Sequence, residues 1–255
     1  MNITDALIQL GDWDAAGTEL TRALDHDGLA DIEYLVCLGA WLAALRGDAG
    51  AADETLAGLQ DLRASEAPQD QATLGIAEAF TAVAHGQPAE ALRRARAVLL
   101  AHADALGISH GELAWLWSLA VRAAHEVGDA AATQELLALL DSYQPGHVVP
   151  SLRAERDLAR ARQASQDSSQ DGDQSAAAAA FAGAITALRE HGTPYHLAHG
   201  LLDHAGYLTR HGHSDAAAQA IDEARAISAR LRCRPLLDRA EATEAAERAQ
   251  HQIRT

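Results

Sequence analysis

Apolar positions recur along this chain every three to four residues, in stretches such as "DIEYLVCLGAWLAALR" (31–46) and "GELAWLWSLAVRAAHEV" (111–127). That period places them on one face of a helix. Between the stretches lie short polar turns that open with glycine: "GDWDAA" from Gly11, "GDAGAA" from Gly47, "GQPAEA" from Gly86, "GDAAAT" from Gly128, "GDQSAA" from Gly172 and "GHSDAA" from Gly212. The intervals are 36, 39, 42, 44 and 40 residues. Five residues after each glycine stands a small residue: Ala16, Ala52, Ala91, Thr133, Ala177 or Ala217. Nine after it stands Leu20, Leu56, Ala95, Leu137, Phe181 or Ile221, and twelve after it Ala23, Leu59, Val98, Leu140, Ala184 or Ala224. Offsets of four and three keep these on one helical face, with the smallest residue where two helices cross closely.

The repeating unit is therefore a helical hairpin. Its glycine ends the first helix in a left-handed conformation, and the Asp, Ser or Gln that follows meets the free amides of the second. One hairpin cannot bury its apolar face alone, whereas stacked hairpins can. The expectation is an all-α helical-hairpin solenoid of about six hairpins plus a C-terminal capping helix, one domain over residues 1–255. The polar stretch "RQASQDSSQDGDQS" (162–175) predicts a solvated loop inside the fifth hairpin, with a domain split there as the alternative.

With its glycine turn and small and aromatic residues at set positions, the pattern resembles the tetratricopeptide repeat, whose unit is about 34 residues. Gly128, Leu137, Leu140 and Pro145 carry the likeness, with Trp117 at the tryptophan position, and Gly11, Trp13, Ala16, Leu20 and Ala23 repeat it. The longer intervals depart from the standard unit. The segment Gly192–Ala242, "GTPYHLAHGLLDHAGYLTRHGHSDAAAQAIDEARAISARLRCRPLLDRAEA", resembles the C-terminal repeats of bacterial LuxR-type and adenylate-cyclase-linked signalling ATPases. That likeness covers about a fifth of the chain and implies a scaffold or sensor arm of a regulator. Its partner would be a protein or peptide segment, such as a neighbouring regulator domain.

Composition narrows the chemistry. Aromatics are 4% and every one of the twenty basic residues is arginine, so a phosphate-binding loop of the usual form, which needs lysine, is excluded. Any ATPase or cyclase activity of the resembled regulators therefore lies elsewhere. A formal charge of −16 opposes nucleic acid as a partner, since neutralising phosphates needs a clustered basic surface. No apolar run is long enough to span a membrane, and the start "MNITDALIQLGDWD" lacks the regions of a signal peptide, which predicts a cytoplasmic chain. Cys37 and Cys233 are isolated and read as buried small residues. The "GIS" at 107–109 lacks the strand context of a nucleophile elbow, and Asp53 and Glu54 fall on a polar helix surface. His196, His199 and Asp203 recur at i, i+3 and i+7 without a fourth ligand, so no metal site is predicted and no cofactor is implied. Without a convergent nucleophile, base and oxyanion donors, the expectation is a non-enzymatic chain.

In tetratricopeptide arrays the first helix of each hairpin lines the concave face at fixed offsets before the turn. Transferred here, offsets of thirteen, ten and six residues give Tyr34, Cys37 and Trp41, then Thr73, Ile76 and Phe80, then Trp115, Ser118 and Arg122 with His125 beyond, and His199 in the last hairpin. Aromatic and arginine anchors suit recognition of a peptide or a small-molecule effector. Packing between neighbouring repeats is the alternative reading of Trp41 and Phe80.

Overall fold

Five of the six turn glycines take the left-handed conformation, Gly11, Gly47, Gly86, Gly128 and Gly212, with φ between 68° and 88°. At Gly128 the glycine N–H bonds the His125 carbonyl (3.2 Å) and the Asp129 N–H reaches back to Ala124 (2.9 Å), satisfying carbonyls that the helix end leaves open. A side chain with a Cβ is strained in that region, so glycine is required. Asp12, Asp48 and Asp129 then cap the next helix by accepting from Ala15, Ala51 and Ala132. Gln87 and His213 stand at the same place without a side-chain cap, and after Gln87 a proline opens the helix.

The computed structural model describes residues 3–25, 32–167 and 174–254, and Gly172 lies outside them. Among the described residues the chain forms fourteen α-helices and no strand. It divides into two compact units, Met1–Val149 and Pro150–Thr255. The first contains α1 (Ile3–Leu10), α2 (Trp13–Leu24), α3 (Ile32–Arg46), α4 (Ala49–Leu56), α5 (Gln60–Ala64), α6 (Pro68–Ala84), α7 (Pro88–Leu106), α8 (Gly111–Val127) and α9 (Ala130–Asp141), followed by a single 3-10 turn, Pro145–His147. The second contains α10 (Pro150–Asp167), α11 (Gln174–His191), α12 (Pro194–Arg210), α13 (Ser214–Leu231) and α14 (Arg234–Arg254).

In the first unit the hairpins are α1–α2, α3–α4, α6–α7 and α8–α9. Their first helices also pack on one another in succession, α1 on α3, α3 on α6 and α6 on α8. These four make an inner layer, and because each is separated from the next by a returning helix, all run in the same sense. In the second unit α10–α11 and α12–α13 are the hairpins, with α14 closing against α12 and α13. The core follows the repeat: all six residues five positions after a turn glycine, and all six at nine positions, are at most 6% exposed. Trp13 and Trp117 are fully buried and donate to the Ile8 and Leu136 carbonyls at 3.0 and 2.8 Å, each tying the two helices of its hairpin.

Two local features differ from the sequence pattern. Helix α4 stops at Leu56, just before Gly58, so Leu59 is buried at the head of the extra helix α5 instead of continuing α4. The polar stretch expected as a loop from 162 is helical through Asp167, because Arg162 is drawn into the interior of the second unit by Asp203. Residues 168–173 of that stretch are outside the described ones.

Helices α6 and α7 meet at Gly75, where an added Cβ would stand 2.5 Å from Val98 Cγ2. The branched valine has little rotamer freedom in a helix. Gly75→Ala is expected to cost about 1–3 kcal/mol through overpacking, measured by urea unfolding, and an unchanged midpoint would contradict this contact.

Candidate ligand-binding cleft

Each inner helix of the first unit carries a carboxylate in its first turn: Asp5 in α1, Glu33 in α3, Asp70 in α6 and Glu112 in α8. Singly, this is what any helix prefers, since the N-terminal end of its dipole is positive. The inner helices run in the same sense, so their starts meet, and the four acids line one cleft of about 1040 Å³. Tyr34, Thr73 and the amides of Gln9 and Gln69 share the wall, with Ile32 and Leu62 as its apolar part. On the α8 side the rim is Ser109 and His110. Ser109 Oγ donates to the His147 carbonyl at 2.6 Å and accepts from the Val149 N–H at 3.1 Å, pinning the rim to the end of the unit.

The cleft is electronegative. Burial, then the charges of Glu112 and Asp5, push the Tyr34 phenol well above its ordinary value. Burial, then Glu78, Glu33 and Asp70 against the opposing Arg63, pushes the Cys37 thiol up to about 12. Glu112 is only 8% exposed, and its carboxylate stands 2.8 Å from His110 Nδ1. Asp5 accepts from Gln9 (3.1 Å) and Asp70 from Ser65 Oγ (2.6 Å). Other carboxylates of the unit are neutralised by arginine: Glu78 faces Arg63 and Arg94, and Glu90 faces Arg93 and Arg94.

Of the residues that the repeat offsets single out, Tyr34 and Thr73 are on the cleft wall. Cys37 and Ile76 lie one turn further along α3 and α6 and are buried. Trp41, Phe80 and Trp115 are brought together in the interior. The Trp41 and Trp115 centroids are 4.9 Å apart with near-perpendicular planes, and Phe80 lies 5.9 Å from Trp41 and 6.0 Å from Trp115. Trp115 sits thirteen residues before its turn and the other two sit six before theirs, so side chains two turns apart in the repeat register meet. Ser118 is buried and bonds the Ala114 carbonyl at 3.0 Å. Arg122 and His125 are half-buried further along α8, away from the cleft lining. The first-turn acids and His110 were not among the offsets; the available signal was a carboxylate recurring at the start of consecutive inner helices.

His199 belongs to the second unit, where the inner face is held by charge. Arg162 of α10 and Arg239 of α14 both clasp Asp203 of α12, with Arg162 Nε at 2.7 Å, and Arg239 also donates to His199 Nδ1 at 2.9 Å. His196 Nδ1 faces Thr193 Oγ1 at 2.7 Å. Asp203 is thus engaged by two guanidiniums, and among the described residues no three His, Cys, Asp or Glu side chains form a group able to hold a metal ion. Burial alone would push the Asp203 carboxyl up, but the two guanidiniums outweigh it and lower it to about 2. No protein-family model matches the chain, and no curated protein matches it.

Trp115→Ala is expected to cost about 3–5 kcal/mol, as for a buried aromatic truncated in a core; a variant with wild-type stability would place the ring outside the core. Asp203→Asn leaves Arg162, 3% exposed, buried without its counter-ion, at an expected cost of about 3–5 kcal/mol. Because folding lowers the Asp203 pKa, its charge stabilises the fold above the unfolded value of about 3.9 and this contribution is lost as pH falls toward 2. Acid unfolding of Asp203→Asn, followed by circular dichroism, should lack that component.

Proposed function

We propose that this chain is a non-enzymatic interaction module of the tetratricopeptide kind, which captures a peptide segment of a partner protein in the cleft at the starts of α3, α6 and α8. The observation that carries this reading is the cleft itself, walled by three consecutive inner helices together with α1. Its wall offers acids, amides and hydroxyls, which are groups for hydrogen bonding. The nearby Cys37 is held as a thiol, not as the thiolate that nucleophilic chemistry needs. The resemblance of Gly192–Ala242 to the ends of bacterial signalling ATPases supports placing the module as the scaffold or sensor arm of a regulator. We place it in the cytoplasm, in keeping with its two buried cysteines, which form no disulfide; among the described residues no helix is long and apolar enough to cross a membrane.

A small effector is the second reading. It is favoured by the cleft volume, which is close to the upper end of single-ligand pockets, about 300–1000 Å³.

An array of short random-sequence peptides, probed with the purified chain and with Tyr34→Ala, tests the first reading. Peptides retained by the chain and released by the variant, with melting temperature preserved, are the expected result. Retention of no peptide, or retention indifferent to Tyr34→Ala, would overturn it.

A further inference from the structure

We infer that the segment taken by the cleft is basic, its arginine or lysine side chains entering among Asp5, Glu33, Asp70 and Glu112. This rests on the peptide-binding reading and adds the chemistry of the guest. Four helix starts supply roughly half a positive charge each, about +2 in all. Four carboxylates supply −4, so the wall keeps a net charge of about −2 after the dipoles are satisfied. Among the described residues no arginine forms an ion pair with any of the four, whereas Glu78, Glu90 and Asp203 each face two.

Glu112 makes the point most directly. It is nine-tenths buried on the cleft wall, and its neighbour His110 cancels its charge only when protonated. A cationic guest would give this buried carboxylate a charge partner where water competes little for it.

The acids do not gather into a metal-holding group among the described residues, so their spacing suits an extended cation with several charges. A peptide fits better than a free polyamine. Gln9, Gln69 and Thr73 offer both donors and acceptors, matching the N–H and C=O groups of a peptide backbone, while a polyamine presents no carbonyl. Tyr34, half-buried on the wall, adds aromatic surface of the kind on which guanidinium groups stack. The formal charge of −16 steers such a guest toward the protein.

That same overall charge dictates the control. Fluorescence anisotropy at physiological ionic strength would use the full chain and a labelled peptide of alternating arginine and glycine, beside its citrulline counterpart of equal shape and no charge. The cleft variant is Glu33→Gln with Glu112→Gln. The control is Glu54→Gln with Glu126→Gln, both exposed and outside the cleft lining, which removes the same charge elsewhere. The arginine peptide is expected to bind about tenfold or more tightly than the citrulline peptide, and the cleft variant to lose that preference while the control keeps it. Should the double variant fail to fold, Glu33→Gln alone carries the same comparison.

Equal losses in both variants would overturn the inference by showing only a general field. So would spermidine displacing the arginine peptide at matched concentration while the citrulline peptide never binds, since the guest would then be a free polyamine. Equal binding of arginine and citrulline peptides, still lost with Tyr34→Ala, would overturn the basic guest and leave peptide binding standing; no binding by either, with an empty peptide array, would bring down both.

Discussion

The turn in which a left-handed glycine closes one helix and a small residue five positions on lets the next helix approach closely is the constraint on which everything else depends. At Gly128 it consists of two backbone hydrogen bonds, an Asp129 cap and a buried Thr133, and the same arrangement recurs at Gly11 and Gly47 with alanine in the small position. A chain with few aromatics has little bulk with which to fill a core. Its core is filled by bringing backbones together, and the buried alanine at the crossing point is what permits that. The repetition of one turn also decides direction. Every inner helix of the first unit starts at the same edge, so whatever its first turn carries is multiplied by the stack.

Much of this was legible in the sequence. The glycine turns and their aspartate caps follow from local spacing, and local spacing is what capping and helix periodicity control. The cleft was less legible. Asp5, Glu33, Asp70 and Glu112 each satisfy a local helix preference and look ordinary one at a time; only tertiary stacking makes them a group. Arg162 shows the opposite difficulty. Its neighbours are polar and loop-like in composition, yet an aspartate forty-one residues away holds it inside a helix. Local composition carries no trace of such a partner.

The two units link three consecutive inner helices by different means. In the first, Trp41, Phe80 and Trp115 span α3, α6 and α8 through ring contacts. In the second, Arg162, Asp203 and Arg239 span α10, α12 and α14 through charge. Ring contacts add dispersion and burial and tolerate small shifts in position. A buried ionic triad adds little net stability over an apolar one, but it penalises misalignment heavily, because any displaced member is left as an isolated charge. The inner helices of the first unit are therefore held forgivingly, and those of the second in a specific register.

All four tryptophans, Trp13, Trp41, Trp115 and Trp117, lie in the first unit and are buried there, while the second unit has none. Indole emission consequently reports on one half of the molecule only, whereas far-ultraviolet ellipticity sums over the helices of both. The separation between the two denaturation curves becomes a direct gauge of how far the units share one cooperative transition, without any label being introduced. For a repeat architecture, in which cooperativity is a property of interfaces and not of the chain as a whole, this optical asymmetry is a built-in probe of where one folding unit ends and the next begins.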